Sequence, residues 1–148
     1  MAELPYTEMV LVSADQEWMA YHRIRRQVLF EARGRGEIYD ENHPDDRHEG
    51  NDPLLLLANG IPVGTARLDR HPEKLGIVRL VAILPDYQRQ GFGRALMDGL
   101  EKHAASNGIT CLQVSSAADA VAFYQKLGWS IVDAAQESPL LAKKLKDL

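Results

Sequence analysis

The chain of 148 residues carries a net charge of −4, is 45% apolar and 26% charged, and so has the make-up of one globular domain able to bury a core without metals or disulfides. The acidic balance gives no support to a nucleic-acid footprint, which needs a strongly basic face, and no run approaches the roughly eighteen apolar residues of a membrane span. The single cysteine, Cys111, excludes an intrachain disulfide and reads as a buried, inert thiol; residues 1–5 lack the basic-then-apolar pattern of a leader, so a cytoplasmic location is expected.

Residues 9–13 form a short apolar run of strand character, and Asp15 after it can cap a helix. From residue 16 to about 33, Trp18, Tyr21, Ile24, Val28 and Leu29 recur at helical spacing, with Arg23, Arg26 and Gln27 on the opposite side and Gly34 and Gly36 as stops. Residues 35–52 are polar, with Ile38 and Tyr39 as apolar anchors; a connection of this length is often a lid or binding loop. His43, Asp45, Asp46, His48 and Glu49 in it fall on no recognised metal-ligand spacing, and a solvated loop is the better reading.

A leucine run, 53–58, meets Asn59-Gly60, the strongest short hairpin signal, and residues 61–69 complete the hairpin. There Val63, Thr65 and Arg67 alternate against Gly64, Ala66 and Leu68. A turn at 71–73 leads into a third strand, 75–84, making an antiparallel meander. Then comes a glycine turn, and Phe92, Leu96, Gly99, Leu100, His103 and Ala104 mark one face of a helix ended by Asn107-Gly108. Residues 109–114 are a buried-strand candidate, parallel to the strand before the helix. A second helix over 117–127 is closed by Gly128, and residues 129–132 and 140–145 can pair as a final hairpin. The fold class is mixed α/β, an antiparallel N-terminal meander joined by one parallel crossover to a C-terminal hairpin and flanked by helices.

Backbone amides left unpaired at a helix start, beside Gly91 and Gly93, make a ready site for an anionic phosphate. A dinucleotide fingerprint would want a third glycine where Leu96 stands, and an acid where Ser115 and Ser116 end the next strand. A triphosphate loop would want Gly-Lys followed by Ser or Thr, where this chain has Gly93-Arg94-Ala95. Both readings fail on specific residues.

Gln88-Arg89-Gln90-Gly91-Phe92-Gly93 instead resembles the Arg/Gln-x-x-Gly-x-Gly/Ala signature of the GNAT superfamily of acetyl-coenzyme A-dependent N-acetyltransferases. Downstream, Phe123-Tyr124-Gln125-Lys126-Leu127-Gly128-Trp129 resembles that family's second signature, and the element order matches over nearly the whole chain. The resemblance implies that amides from Gln88 through Gln90, Gly91 and Gly93 to Arg94 cradle the coenzyme A pyrophosphate, with Arg89 and Arg94 able to add charge. It implies that Val81 and Ile83 offer main-chain groups to the pantetheine arm, and that Tyr124 hydrogen-bonds or protonates the leaving thiolate.

Two positions depart from the family pattern. Ala117 stands where an Asn is common, so a cofactor hydrogen bond is missing or supplied by Ser115 or Ser116. Arg79 stands near a common Glu; it cannot be a base, but it can bind a carboxylate or phosphate, with Arg26 as a partner, or form a structural salt bridge. Glu31, His71, Glu73 and Glu137 are open alternatives for the base, since the family's His near the last strand aligns with Ser138 or Pro139.

The expected activity is transfer of an acetyl group from acetyl-coenzyme A to a primary amine of a small, amino-acid-like or carboxylate-bearing molecule, by direct attack in a ternary complex. No metal, nucleic acid or membrane is expected to take part, and the resemblance allows a homodimer. A protein lysine or N-terminal acetyltransferase, or a non-catalytic acyl-coenzyme A sensor, are the alternatives.

Overall fold

The computed structural model describes residues 5–135 and 137–145, so that most of the segment in which no leader is read, residues 1–4, lies outside the described part. The strands are β1 (Thr7–Leu11), β2 (Asn51–Ala58), β3 (Ile61–His71), β4 (Leu75–Ile83), β5 (Cys111–Ser115), β6 (Ser130–Asp133) and β7 (Leu140–Lys144). They form one sheet in the order β1-β2-β3-β4-β5-β7-β6, in which only the β4–β5 pair is parallel. Among the described residues three α-helices accompany them: α1 (Asp15–Arg25), α2 (Phe92–Ser106) and the short α3 (Val121–Lys126). The mixed α/β meander, crossover and hairpin expected from the pattern are all present.

The sheet is covered on both faces, which is why its central strands are apolar on both sides. Leu54, Leu56, Val63, Leu68 and Val78 pack with Phe92, Leu96, Met97 and Leu100 of α2, and Tyr124 and Trp129 join that core. On the other face Leu55 and Ala82 pack with Ala20, Tyr21 and Ile24 of α1. Among the described residues no helix is long and apolar enough to cross a membrane.

Several local expectations change. Asp15 does not cap α1; it is the first helical residue, and Ala14 holds the cap position. Glu17 supplies what Ala14 lacks: its Oε1 accepts the amides of Ser13 and Ala14, each at 2.9 Å, and these bonds pull its carboxyl below the usual range. Beyond Arg25 the single expected helix becomes a wide π turn, Arg26–Phe30, and then a tight 3-10 turn, Glu31–Arg33. Likewise the helix expected over 117–127 is a 3-10 turn, Ala118–Ala120, followed by α3.

Two bulges rephase the meander. One lies opposite Leu56 and Leu57, and it sends Val63 into the α2-face core with Ala66 and Leu68, not to the side of Thr65 and Arg67. The other lies in β4, where the pairing jumps from Thr65↔Ala82 to Arg67↔Arg79 and Leu80 takes a φ of +55°. Cys111 is only half-buried, because it opens β5 instead of lying within it.

The 35–52 connection is tied down more deeply than a solvated loop. Tyr39 is buried, but Ile38, the other expected anchor, is 66% exposed. Asp46 is only 2% exposed, because it serves as the counter-ion of two buried arginines. Among the described residues no group of three or more His, Cys, Asp or Glu is gathered to hold a metal ion.

Candidate active site

The turn between β4 and α2 is built to leave donors free. Pro85–Tyr87 make a 3-10 turn, Arg89 takes a φ of +62°, and Gly91 caps α2 at φ 93° and ψ 0°. A side chain at Gly91 would strain that conformation. The helix's first internal bond here runs from the Ala95 amide to the Gly91 carbonyl at 3.1 Å. The amides of Phe92, Gly93 and Arg94 therefore lack partners within the helix, at its positive end.

The loop side chains brace this turn. Gln88 Nε2 donates to the Ile83 carbonyl at 2.9 Å, and Gln90 Nε2 donates to the Asp86 carbonyl at 2.7 Å. Arg89 and Arg94 are exposed. Gly93 has a second reason to be glycine: a β-carbon there would lie 3.2 Å from the Phe123 ring, so the residue sets how closely α2 approaches α3.

Beside this turn the sheet opens. β4 and β5 pair only from Leu75↔Cys111 to Val78↔Val114. The Leu80 bulge follows at once, and the rest of β4 stays with β3 through Ala82 and Ile83. Val81 and Ile83 pack their side chains against the α2-face core, while their strand has lost its β5 neighbour. An extended group can be received along such an edge.

Tyr124 packs in the core on the α2 face of the sheet. It is 5% exposed and sits edge-on against Phe123 and Trp129, with ring centroids 5.2 and 5.4 Å away. Its hydroxyl makes no hydrogen bond among the described residues, and burial pushes its pKa up to about 12. Its backbone is fixed: the amides of Leu127 and Trp129 both donate to its carbonyl, at 3.0 and 3.1 Å. Lys143 of β7 clamps the same corner, bonding the Leu127 carbonyl at 2.7 Å and Glu101 of α2 at 2.8 Å.

On the α1 side stands a chain of alternating charges. Arg25 Nη1 meets Asp46 Oδ1 at 2.7 Å, and Arg67 Nη1 meets the same oxygen at 3.2 Å. Arg67 also grips Asp69 through Nε (2.7 Å) and Nη2 (3.1 Å), and Arg79 Nε reaches Asp69 Oδ2 at 2.8 Å. Arg79 is thus in the salt bridge read as its structural alternative, with its side chain still 48% exposed. Arg26, read as its partner, lies against the Tyr39 ring at 5.2 Å. Its neighbour Arg25 is the arginine that enters the chain leading to Arg79.

Of the alternatives for a base, Glu31, His71, Glu73 and Glu137 are all exposed, and His71 shares a pocket with Arg79. Ser116 donates its hydroxyl to the Ala117 carbonyl at 2.7 Å, whereas Ser115 is exposed at the end of β5. Arg25, Asp46, Arg67 and Asp69 escaped the sequence reading. A signal existed for two of them: Arg67 and Asp69 sit two apart, on one face of a strand whose preceding residues, Ile61 to Ala66, are uncharged.

Known proteins resemble this chain over most of its length. The model of the acetyltransferase (GNAT) family matches residues 15–129. YyaT, an uncharacterised protein of Bacillus subtilis, is 32% identical over 111 residues, spanning 74% of this chain and 73% of that one. The ribosomal protein bS18-alanine N-acetyltransferase of Escherichia coli is 42% identical over a shorter stretch of 53 residues, 34% of this chain and 36% of the enzyme. The crystal structure of the PaiA N-acetyltransferase of Thermoplasma acidophilum, in complex with coenzyme A, superposes with a TM-score of 0.73 at 16% identity, covering 94% of this chain and 99% of that one.

Proposed function

The chain belongs to the GNAT acetyltransferase family and is an acyl-coenzyme A N-acyltransferase, and on that premise we propose that it moves an acetyl group from acetyl-coenzyme A to a primary amine of a small molecule. One observation carries the reading: the unpaired amides of α2 follow directly on β4, the strand that parts from β5 after Val78, and Tyr124 packs in the core on the same α2 face of the sheet.

The residues present fit the group. The amides from Gln88 through Gly91 and Gly93 to Arg94, helped by the Arg89 and Arg94 side chains, would hold the pyrophosphate. The main chain at Val81 and Ile83 would hold the arm, although Gln88 already occupies the Ile83 carbonyl, which leaves Val81 the freer of the two. When bound, the donor supplies a thioester whose acyl group an amine can take.

Tyr124 acts on the sulfur that leaves. Burial holds the phenol near 12, so it stays protonated at neutral pH and has a proton to offer the sulfur in a hydrogen bond. Tyr124 therefore stabilises the thiolate as a hydrogen-bond donor and keeps its proton. The acceptor ammonium, with a pKa near 10, must lose a proton before it attacks. Bulk water is the route at the open face; His71 lines the same pocket as Arg79 but pairs with Leu75, at the end of β4 away from the opening.

The test is thiol release from acetyl-coenzyme A with a panel of primary amines, on the wild type and on Tyr124→Phe. Turnover that falls in the variant while donor affinity holds supports the assignment. Donor binding without thiol release on any amine would replace the enzyme with a sensor. A second reading, acetylation of a protein N-terminus, is favoured by the local 42% identity to the bS18-alanine N-acetyltransferase. A peptide beginning with alanine belongs in the panel for that reason.

A further inference from the structure

We infer that the acceptor carries a carboxylate, and that it docks on the free edge of the Arg79 guanidinium, with Asp69 as the residue that positions it. The inference deepens the proposed transfer reaction and rests on it for the identity of the acceptor.

The charge count makes the case first. The chain Arg25–Asp46–Arg67–Asp69–Arg79 holds three cations and two carboxylates linked by contacts of 2.7 to 3.2 Å. Its first four members are buried, so their charges must be balanced within the protein. One positive charge is left over. It surfaces at Arg79, whose side chain is the half-exposed end of the chain at 48%.

Geometry makes it second. Asp69 holds Arg79 through Nε alone, and Arg67 occupies the rest of that carboxylate. The Nη1 and Nη2 atoms of Arg79 have no partner among the described residues. A guanidinium anchored at Nε presents two parallel donors, the arrangement that meets a carboxylate in bidentate fashion. Because Asp69 is itself clamped, the fork is oriented before any ligand arrives, which lowers the entropy lost on binding.

Position makes it third. Arg79 directly follows Val78, the last residue of β4 paired to β5, so it stands at the root of the opening. Its ion pair runs towards the α1 face, whereas Tyr124 packs on the α2 face. An acceptor anchored at Arg79 would reach the opening from the side opposite the phenol that receives the leaving sulfur. A pocket of about 560 Å³ runs from Arg79 along β3 and β4 away from the opening, lined by Arg67, Asp69, Arg79, His48, His71 and Asn51, among others. Arg70 in its wall is neutralised by Asp52 at 3.1 Å. The acids Asp45 and Glu49 stand exposed on its rim. That rim favours a singly charged carboxylate over a doubly charged phosphate.

Matched pairs test the inference: amino acids against the amines left by their decarboxylation, with kcat/KM from thiol release. The wild type should prefer the carboxylate member by tenfold or more. In Arg79→Gln that ratio should fall to within threefold of unity, and Arg79→Lys, which keeps the charge but not the fork, should recover only part of it. Asp69→Asn should lower the ratio chiefly through KM, whereas a purely structural role would reduce both members alike. A wild-type ratio near one, or a ratio unchanged in Arg79→Gln, overturns the inference while leaving N-acetyl transfer intact.

Binding without the donor separates the two proposals. N-acetylglycine and N-methylacetamide, which differ by the carboxylate, are titrated by NMR into the wild type and Arg79→Gln. Binding of N-acetylglycine at least tenfold weaker in the variant, with N-methylacetamide shifting no Arg79 neighbours, supports the anion site even if no amine is turned over. Equal binding of N-acetylglycine to both proteins refutes it.

Discussion

Replacing Asp46 by alanine should be among the most damaging single changes in the chain. Asp46 is 2% exposed, and its Oδ1 takes Arg25 at 2.7 Å and Arg67 at 3.2 Å. Arg67 keeps its double contact with Asp69, but Arg25, itself 5% exposed, loses its acidic partner. A unit pair about 4 Å apart is worth about 4 kcal/mol at an effective dielectric near 20. Stranding a buried charge by deleting its partner costs about 3–5 kcal/mol, a large part of the roughly 5–15 kcal/mol that holds a domain folded. Urea unfolding at 25 °C, followed by far-UV circular dichroism, measures the loss. The same contact pins the 35–52 connection to α1, so native-state proteolysis should nick Asp46→Ala within that connection well before the wild type. Adding Arg25→Met removes the stranded cation, and the double variant should regain at least about 1 kcal/mol over Asp46→Ala alone. A loss below about 1 kcal/mol in the single variant, or no recovery in the double, would refute the buried-pair account.

Tyr124→Phe should lower kcat by about ten- to a hundredfold, as expected for one lost hydrogen bond to a developing charge, with donor affinity within about twofold in a titration of coenzyme A. Because burial lifts the Tyr124 phenol to about 12, the unfolded chain releases a proton above pH 10 that the folded chain keeps. Stability should therefore fall between pH 10 and 12 by about 1.4 kcal/mol per pH unit from this group, and urea titrations of Tyr124→Phe should show a shallower fall. The His22 ring is held below its ordinary pKa by burial, so the opposite sign applies on the acid side: stability is present above about pH 6.5 and is lost as the pH drops through the lowered value. A His22→Gln variant should lose less stability between pH 7 and 5. Gly93→Ala places a methyl 3.2 Å from the Phe123 ring, which must give by a few tenths of an ångström; helix propensity offsets the crowding by about 1 kcal/mol, so stability should change little while kcat falls because Phe123 leans on Tyr124. Unchanged kcat in Gly93→Ala would separate that contact from the chemistry.

The sequence was readable wherever structure is set by local rules. Asn59-Gly60 predicts its hairpin and Gly91 its helix start, because each turn requires those residues whatever surrounds it. Tyr124 could be singled out only because its neighbours form a family signature; helical spacing alone would have left it as core. What stayed hidden is set by partners distant in the chain. Arg25 and Arg26 are indistinguishable by composition, and only the position of Asp46, twenty-one residues later, decides which is buried. Asp46 itself sits among Asp45, His48 and Glu49 and carries no local mark of depth. The bulges at Val63 and Leu80 were invisible for another reason: alternation counts residues and cannot see one that is added. Leu80, at φ +55°, is an apolar residue where a backbone rule would have asked for glycine.

The shortness of the β4–β5 pairing bears on how the molecule comes apart. Between the meander and the C-terminal hairpin, the sheet is sewn by four residue pairs, Leu75↔Cys111 to Val78↔Val114. Side-chain packing around α2 supplies most of the rest of the bond between the two halves. The seam is thus a short hydrogen-bonded line between the two halves, and their parting should begin there. Any extended ligand seated in the opening would lengthen the seam and bind the closed form alone. It would raise the melting temperature by mass action and make two loosely joined half-sheets unfold as one. Hydrogen exchange should register that change at the amides of β4 beyond Val78, where occupancy of the opening would be written as protection.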